Sequence, residues 1–201
     1  MRRVVFLRHG SHDRLGRILC GRMPGVSLSE SGHAEARVLA DILARRFAGE
    51  GGLRLLSSPQ ARTRETAAPL AERLGLAIEI APELDEIAFG DWTGRSFSEL
   101  AGDPAWDAWN ATRASARPPG GESMGEVQAR IGQLLDRLAR EEGPPALLVS
   151  HGDPIRAALL GLLGLSLDAY DRIVVAPASC SEAELWPGGG RVVSFNERFT
   201  G

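Results

Sequence analysis

Apolar residues in this chain follow two patterns: short unbroken runs, and longer stretches where they recur every three or four positions. Val4-Val5-Phe6-Leu7 is an unbroken run stopped by Arg8-His9-Gly10 and reads as a buried strand. A loop rich in glycine and arginine follows to Leu28. Ser29 then caps a helix predicted to reach about Phe47, with Leu39, Ile42, Leu43 and Phe47 on one face and Gly49, Gly51 and Gly52 closing it. Leu53 to Leu56 is the next strand. After it, Ser58 is expected to cap a helix with Pro59 in its first turn, Thr66, Leu70 and Leu74 on its inner face and Gly75 at its end. Leu76 to Ile80 is a third short strand.

Residues 82–121 lose this periodicity, and Trp92, Phe97, Trp106 and Trp109 stand there among turn residues. The segment reads as an insertion of short helices lying over the active site. Ser123-Met124-Gly125-Glu126 has the spacing of a capping box, followed by a stripe of Val127, Ile131, Leu134, Leu135 and Leu138. Ala146 to Val149 is a fourth strand ending at Ser150-His151-Gly152, and Asp153-Pro154 opens a helix to about Gly164. Glu182 to Trp186 and Val192 to Phe195, separated by Pro187-Gly188-Gly189-Gly190, read as a hairpin. Strands alternating with helices predict an α/β protein: a three-layer α/β/α sandwich around a mostly parallel sheet. No repeat or linker divides the 201 residues, so a single domain, 1–201, is expected.

Composition narrows the chemistry. All 23 basic residues are arginines, and 26 acids bring the net charge to −3, which leaves no global basic footprint for nucleic acid. Without lysine there is no amine for a Schiff base or a P-loop. Two cysteines, Cys20 and Cys180, are too few for a disulfide scaffold or a four-cysteine zinc site and point to a reducing compartment. The first apolar run is too short for a signal-peptide core or a membrane span, so a cytoplasmic protein with no membrane partner is expected.

Two histidines share one local setting. Leu7-Arg8-His9-Gly10 and Val149-Ser150-His151-Gly152 each place an imidazole just past a strand and just before a glycine. One such pair reads as a ring satisfying a strand-end hydrogen bond. Two of them, at the strand ends where α/β sheets gather ligands, predict a shared crevice. Arg62, in the first turns of the helix after Ser57-Ser58, can reach the same crevice with a guanidinium fork suited to phosphoryl oxygens. Arg64 points about 200° away on that helix and belongs to solvent. Among the acids of Leu84-Asp85-Glu86-Ile87, Glu86 sits between apolar neighbours and is the carboxyl expected to keep a proton near neutrality. Asp85 and Asp91 read as surface or turn acids.

These segments together carry a resemblance. Arg8-His9-Gly10, Ser58-Pro59 with Arg62, Glu86 with Phe89-Gly90-Asp91-Trp92-Thr93-Gly94, Pro119-Gly120-Gly121-Glu122-Ser123 and Ser150-His151-Gly152 resemble the histidine phosphatase superfamily, of phosphoglycerate-mutase-like fold. Within it the chain looks most like the small alpha-ribazole phosphatases. The resemblance implies that His9 attacks phosphorus, that Glu86 protonates the leaving oxygen and later activates water, and that Arg8, Arg62 and His151 stabilise the phosphoryl charge. It implies a small phosphorylated metabolite as substrate, alpha-ribazole phosphate or a sugar or acid phosphate, with no metal and no cofactor. Gly10, Ser11, His12, Arg22 and Gly152 complete the expected substrate-binding set. Leu15 stands near the position where many relatives carry an asparagine, and His12, Arg17 and Arg22 are the candidates to replace it; His12 reads equally well as a solvent-facing loop residue.

Three other readings compete. A metal hydrolase would draw on His9, His12, Asp13 and His151, but their spacing is not that of a zinc motif and the arginines would crowd the cation. A phosphomutase shares the phosphohistidine, yet the segment from Trp92 to Gly121 is a short cover for keeping water out. A noncatalytic phospho-ligand-binding protein would gain nothing from keeping both His9 and Glu86. Monomer and homodimer both stay open.

Overall fold

The apolar run at the amino terminus forms a central strand, fully enclosed because both of its faces are covered. The computed structural model describes residues 1–141 and 143–199. Strand β1 (Arg2–Arg8) leads to α1 (Glu30–Arg46), β2 (Arg54–Ser57), α2 (Ala61–Leu74) and β3 (Ile78–Ile80). Next come 3-10 turns at Pro82–Leu84 and Gly90–Trp92, then α3 (Phe97–Leu100) and α4 (Pro104–Ala111). The chain continues through α5 (Met124–Arg140), β4 (Ala146–Ser150), α6 (Gly152–Leu162), a 3-10 segment Leu167–Arg172, and the hairpin β5 (Cys180–Trp186) and β6 (Gly189–Glu197).

The sheet order is β3-β2-β4-β1-β5-β6. The first four strands in that order pair in parallel and the last two add antiparallel, giving a three-layer α/β/α sandwich around a mixed, mostly parallel sheet. Strand alternation sorts the two cores. Val5, Leu7, Leu55, Leu147 and Val149 face α1 and α2, whereas Val4, Phe6, Ala146 and Leu148 face the stripe of α5 and the inner side of α6. Each fully buried aliphatic or phenyl side chain contributes about 1.5–3 kcal/mol, which fixes the strand register strongly.

Register is what places the chemistry. Arg8 pairs with Ser150 and Ser57 with Val149, so β1, β4 and β2 end together and deliver His9, His151 and Ser58 to one edge. Ser29 caps α1 by accepting from the Gly32 N–H, and the Ser123–Glu126 capping box opens α5.

The start of α2 differs from expectation. Its first residue is Ala61, preceded by Gln60 with no side-chain cap, so Pro59 lies outside the helix. The Ser58 amide instead extends the ladder to the Val149 carbonyl at 3.0 Å, and its hydroxyl is engaged elsewhere. The hairpin loop is also tighter than the four-residue spacer, with Gly189 and Gly190 inside β6. In the segment 82–121, Trp92 and Trp109 are fully buried and packed edge to face at 6.3 Å, joining the α5 core. Among the described residues no helix is long and apolar enough to cross a membrane.

Candidate active site

At the carboxyl ends of β1 and β4 lies a cavity of about 440 Å³, lined by Arg8, His9, His12, Arg62, Glu86 and Gly152 and, from the segment 82–121, by Phe97, Trp106, Trp109 and Arg113. The His9 and His151 rings meet edge to face with centroids 5.1 Å apart. His9 Nδ1 donates to the Gly10 carbonyl at 2.8 Å, which leaves Nε2 with a free lone pair. Burial lowers the proton affinity of His9 well below the usual imidazole range, and the Arg8 and Arg62 charges lower it further. His9 is therefore a neutral base and a competent nucleophile.

His151 is held from behind. Its Nε2 donates to Ser58 Oγ at 2.8 Å, and that hydroxyl donates to Asp85 Oδ1 at 3.2 Å. Asp85 Oδ1 also accepts from Gln60 Nε2 at 2.9 Å and from the Glu86 amide at 2.8 Å. This relay fixes the ring and leaves Nδ1 without a hydrogen-bond partner, 3.9 Å from Glu86 Oε2. Burial, and then the Arg62 charge, keep His151 neutral as well.

Glu86 is pushed up to about 8 by burial, with the Asp153 charge adding to the shift and Arg62 opposing it. Its carboxyl is held by the Ile87 amide at 3.0 Å. Its backbone carbonyl is gripped by two guanidiniums, Arg22 Nε at 2.7 Å and Arg130 Nη2 at 3.2 Å. Around this centre Arg8 Nε, Arg62 Nε and Nη1, His12 Nδ1 and His151 Nδ1 are buried without a hydrogen-bond partner. The guanidinium nitrogens among them are unpaired buried donors, each costing about 1–3 kcal/mol, so this cluster is built to receive an oxyanion. Among the described residues no three His, Cys, Asp or Glu side chains group as metal ligands would.

A sequence profile of the histidine phosphatase superfamily (branch 1) matches residues 4–198. The chain belongs to that superfamily. A Mycobacterium tuberculosis protein named as bifunctional is 34% identical over 198 residues, 95% of this chain and 52% of the relative, so the chain spans about half the length of that relative. Glucosyl-3-phosphoglycerate phosphatase of Mycobacterium tuberculosis is 35% identical over 176 residues, 82% of this chain and 76% of the relative. The mycobacterial glucosyl-3-phosphoglycerate phosphatase solved with inorganic phosphate superposes with a TM-score of 0.85 at 31% identity, covering 98% of each chain. The alpha-ribazole phosphatase of Shigella flexneri reaches a TM-score of 0.84 at 24% identity over 99% and 98% of the two chains, a likeness of fold.

In this member of the superfamily several residues stand elsewhere than expected. Asp85 is a buried hub under His151 and not a surface acid, whereas Asp91 is exposed. Arg22 does not line the cavity; it braces the acid loop from behind, with Glu122 at 2.9 Å and Asp85 at 3.4 Å. Ser11 is likewise spent on Glu35, which accepts from its amide at 2.7 Å and its hydroxyl at 2.9 Å. Gly10 faces Gly32, where a Cβ would come within 2.6 Å of the Gly32 carbonyl oxygen, so its role is close packing. His12 is buried against His9 at 5.4 Å, with burial bringing it down to about 4, and is not solvent-facing. Leu15 lines the cavity, and Arg17 is exposed. Arg62 is 2% exposed and Arg64 lies on the solvent face.

Sequence reasoning missed the relay through Ser58 and Asp85, the Arg130 brace, and Asp153, Arg156, Tyr170 and Arg113 in the cavity lining. Arg156 carried one signal: it follows Gly152 by four residues on a helix and so shares its face.

Proposed function

We propose that this chain hydrolyses small phosphomonoesters through a phosphohistidine at His9. The observation that carries the reading is the convergence of partnerless buried nitrogens from Arg8, Arg62, His12 and His151 around the free Nε2 of a neutral His9. His9 Nε2 attacks phosphorus while the ester P–O bond breaks and the leaving alkoxide takes the Glu86 proton. Water then attacks the phosphohistidine and gives a proton to the Glu86 carboxylate, and the P–N bond breaks to release phosphate and restore both groups. Arg8 and Arg62 stabilise the phosphoryl charge in both steps as fixed donors, and His151 joins them once the bound phosphoryl group lets it take a second proton at Nδ1. No step calls for a metal.

The aromatic wall of Phe97, Trp106 and Trp109, beside Asn110, suits a polar metabolite with a sugar-like face. Together with the names of the 35%-identical relatives, it makes glucosyl-3-phosphoglycerate the first ester to test, ahead of alpha-ribazole phosphate. Residues 82–121 act in this reading as the cover of a single domain. Rapid-quench labelling with a phosphorylated ester checks the chemistry. The wild type should accumulate an acid-labile phosphoenzyme and release one phosphate per ester consumed, and folded His9→Ala should form none. Normal labelling in His9→Ala, or an isomerised ester in place of free phosphate, would overturn the hydrolase reading.

A further inference from the structure

Arg113 lines the cavity that holds His9, is 8% exposed, and its Nε has no hydrogen-bond partner. Its guanidinium lies 4.6 Å from the Trp109 ring centroid and 4.0 Å from that of Tyr170, and its Nη2 donates to Asn110 Oδ1 at 2.7 Å. Arg156 stacks on Tyr170 as well, at 4.4 Å, but it has a counter-ion in Asp153 at 3.5 Å. Among the described residues Arg113 has none. Trp109 Nε1, fully buried on the same wall, is also without a partner.

A buried cation needs a compensating charge, and stacking on two rings orients the guanidinium without supplying one. We infer that Arg113 binds a carboxylate of the substrate, so that the enzyme selects phosphomonoesters of carboxylic acids. This rests on the phosphomonoesterase reading and adds a second point of recognition to it. One uncompensated positive charge matches one monoanion; a second phosphate dianion would leave excess negative charge facing Asp153. The guanidinium edge offers a carboxylate charged donors held away from bulk water, where a charge-assisted bond is strong.

The test measures binding separately from turnover. Calorimetry on the full-length His9→Ala protein compares glycerate 3-phosphate with glycerol 3-phosphate, which differ at the carboxylate. The first should bind at least about tenfold tighter. Adding Arg113→Gln should bring that ratio to near one, and adding Arg113→Lys should recover only part of it, because the charge returns without the planar edge. Thermal melts establish that each variant is folded; the lysine variant keeps the test usable if glutamine destabilises the wall. Equal affinities in the His9→Ala parent, or a preference that survives loss of Arg113, would overturn the inference. If the wild type turns over no phosphomonoester while the preference holds, the hydrolase reading falls and the carboxylate site stands. If it turns over phosphomonoesters with no such preference, the carboxylate site falls and the hydrolase reading stands.

Discussion

Glu86→Gln removes a proton and little else, since the amide keeps the shape of the carboxyl and can still accept from the Ile87 N–H. In the wild type, burial and the Asp153 charge push this carboxyl up to about 8. It is then about 99% protonated at pH 6 and about 10% protonated at pH 9. Phosphorylation of His9 by an alkyl ester should therefore be flat on the acid side and fall about tenfold between pH 7 and pH 9. The variant should lose that limb and run about 10²–10⁴-fold slower with alkyl esters. Aryl phosphates, whose leaving groups depart with little help, should lose far less. Rapid-quench measurement of phosphoenzyme formation isolates this step from later activation of water. Equal penalties across the leaving-group series, or an alkaline limb that persists in the variant, would refute the assignment and move attention to Asp153, whose charge acts on Glu86. The shift also has a stability consequence. Between about 4.5 and about 8 the folded state holds a proton that the unfolded chain has released, so stability falls as pH rises through that window. Glu86→Gln removes this penalty, and its urea midpoint should gain on the wild type from pH 5 to pH 8.

Arg62→Lys should lower kcat/KM by about 100-fold, because the three N–H groups of an ammonium radiate from one nitrogen and cannot both hold the Gly21 carbonyl at 2.7 Å and reproduce the planar fork; Arg64→Lys should stay within about twofold. Steady-state kinetics on both folded variants checks this, and comparable losses would contradict the face assignment. Ser58→Ala cuts the link from His151 to Asp85 and should slow phosphoenzyme formation about tenfold with little change in KM. Gly32→Ala would put a Cβ 1.9 Å from the Ser11 carbonyl oxygen, so the loop bearing His12 must move; denaturant titration should show a loss of about 1–3 kcal/mol or more.

What can be read from the chain is what local pattern controls. The apolar run of β1 and its abrupt end place His9, and the same grammar at β4 places His151, since a parallel ladder brings such ends together. Helical periodicity alone separates Arg62 from Arg64. Apolar flanks at Leu84 and Ile87 mark Glu86 as a desolvated acid. Ser58 and Asp85 escape because a serine before a helix is a good cap by local rules, and a charged residue beside a charged residue looks exposed. Their partner, His151, arrives 93 positions after Ser58. Arg22 misleads for the opposite reason: an arginine in a loop near the nucleophile suggests a ligand contact, and only the fold shows its fork turned to Glu122 and the Glu86 carbonyl. Arg113 has no flanking pattern, because its setting is made by Trp109 on α4 and Tyr170 on a remote 3-10 segment.

The absence of lysine is consistent with how this pocket manages charge. His9, His151 and Glu86 are all driven to their neutral forms by burial, so the permanent positive charge at the centre is carried by Arg8 and Arg62. Burial lowers these two as well, but guanidinium begins so high that it stays charged where an ammonium would be at risk of releasing its proton. The arrangement makes the site responsive to its own substrate. A phosphoryl dianion offsets the two guanidiniums, which are among the charges depressing His151, and so raises the proton affinity of that ring as the ester binds. With Ser58 and Asp85 behind Nε2 to accept its proton bond, the ring can then carry a second N–H at Nδ1 and donate it to the phosphoryl oxygens. In the proposed mechanism His9 takes the opposite course, since its Nδ1–H is committed to the Gly10 carbonyl and its Nε2 must stay bare to attack. Two imidazoles 5.1 Å apart in one cavity thus acquire different tasks from the hydrogen bond each makes on its far side.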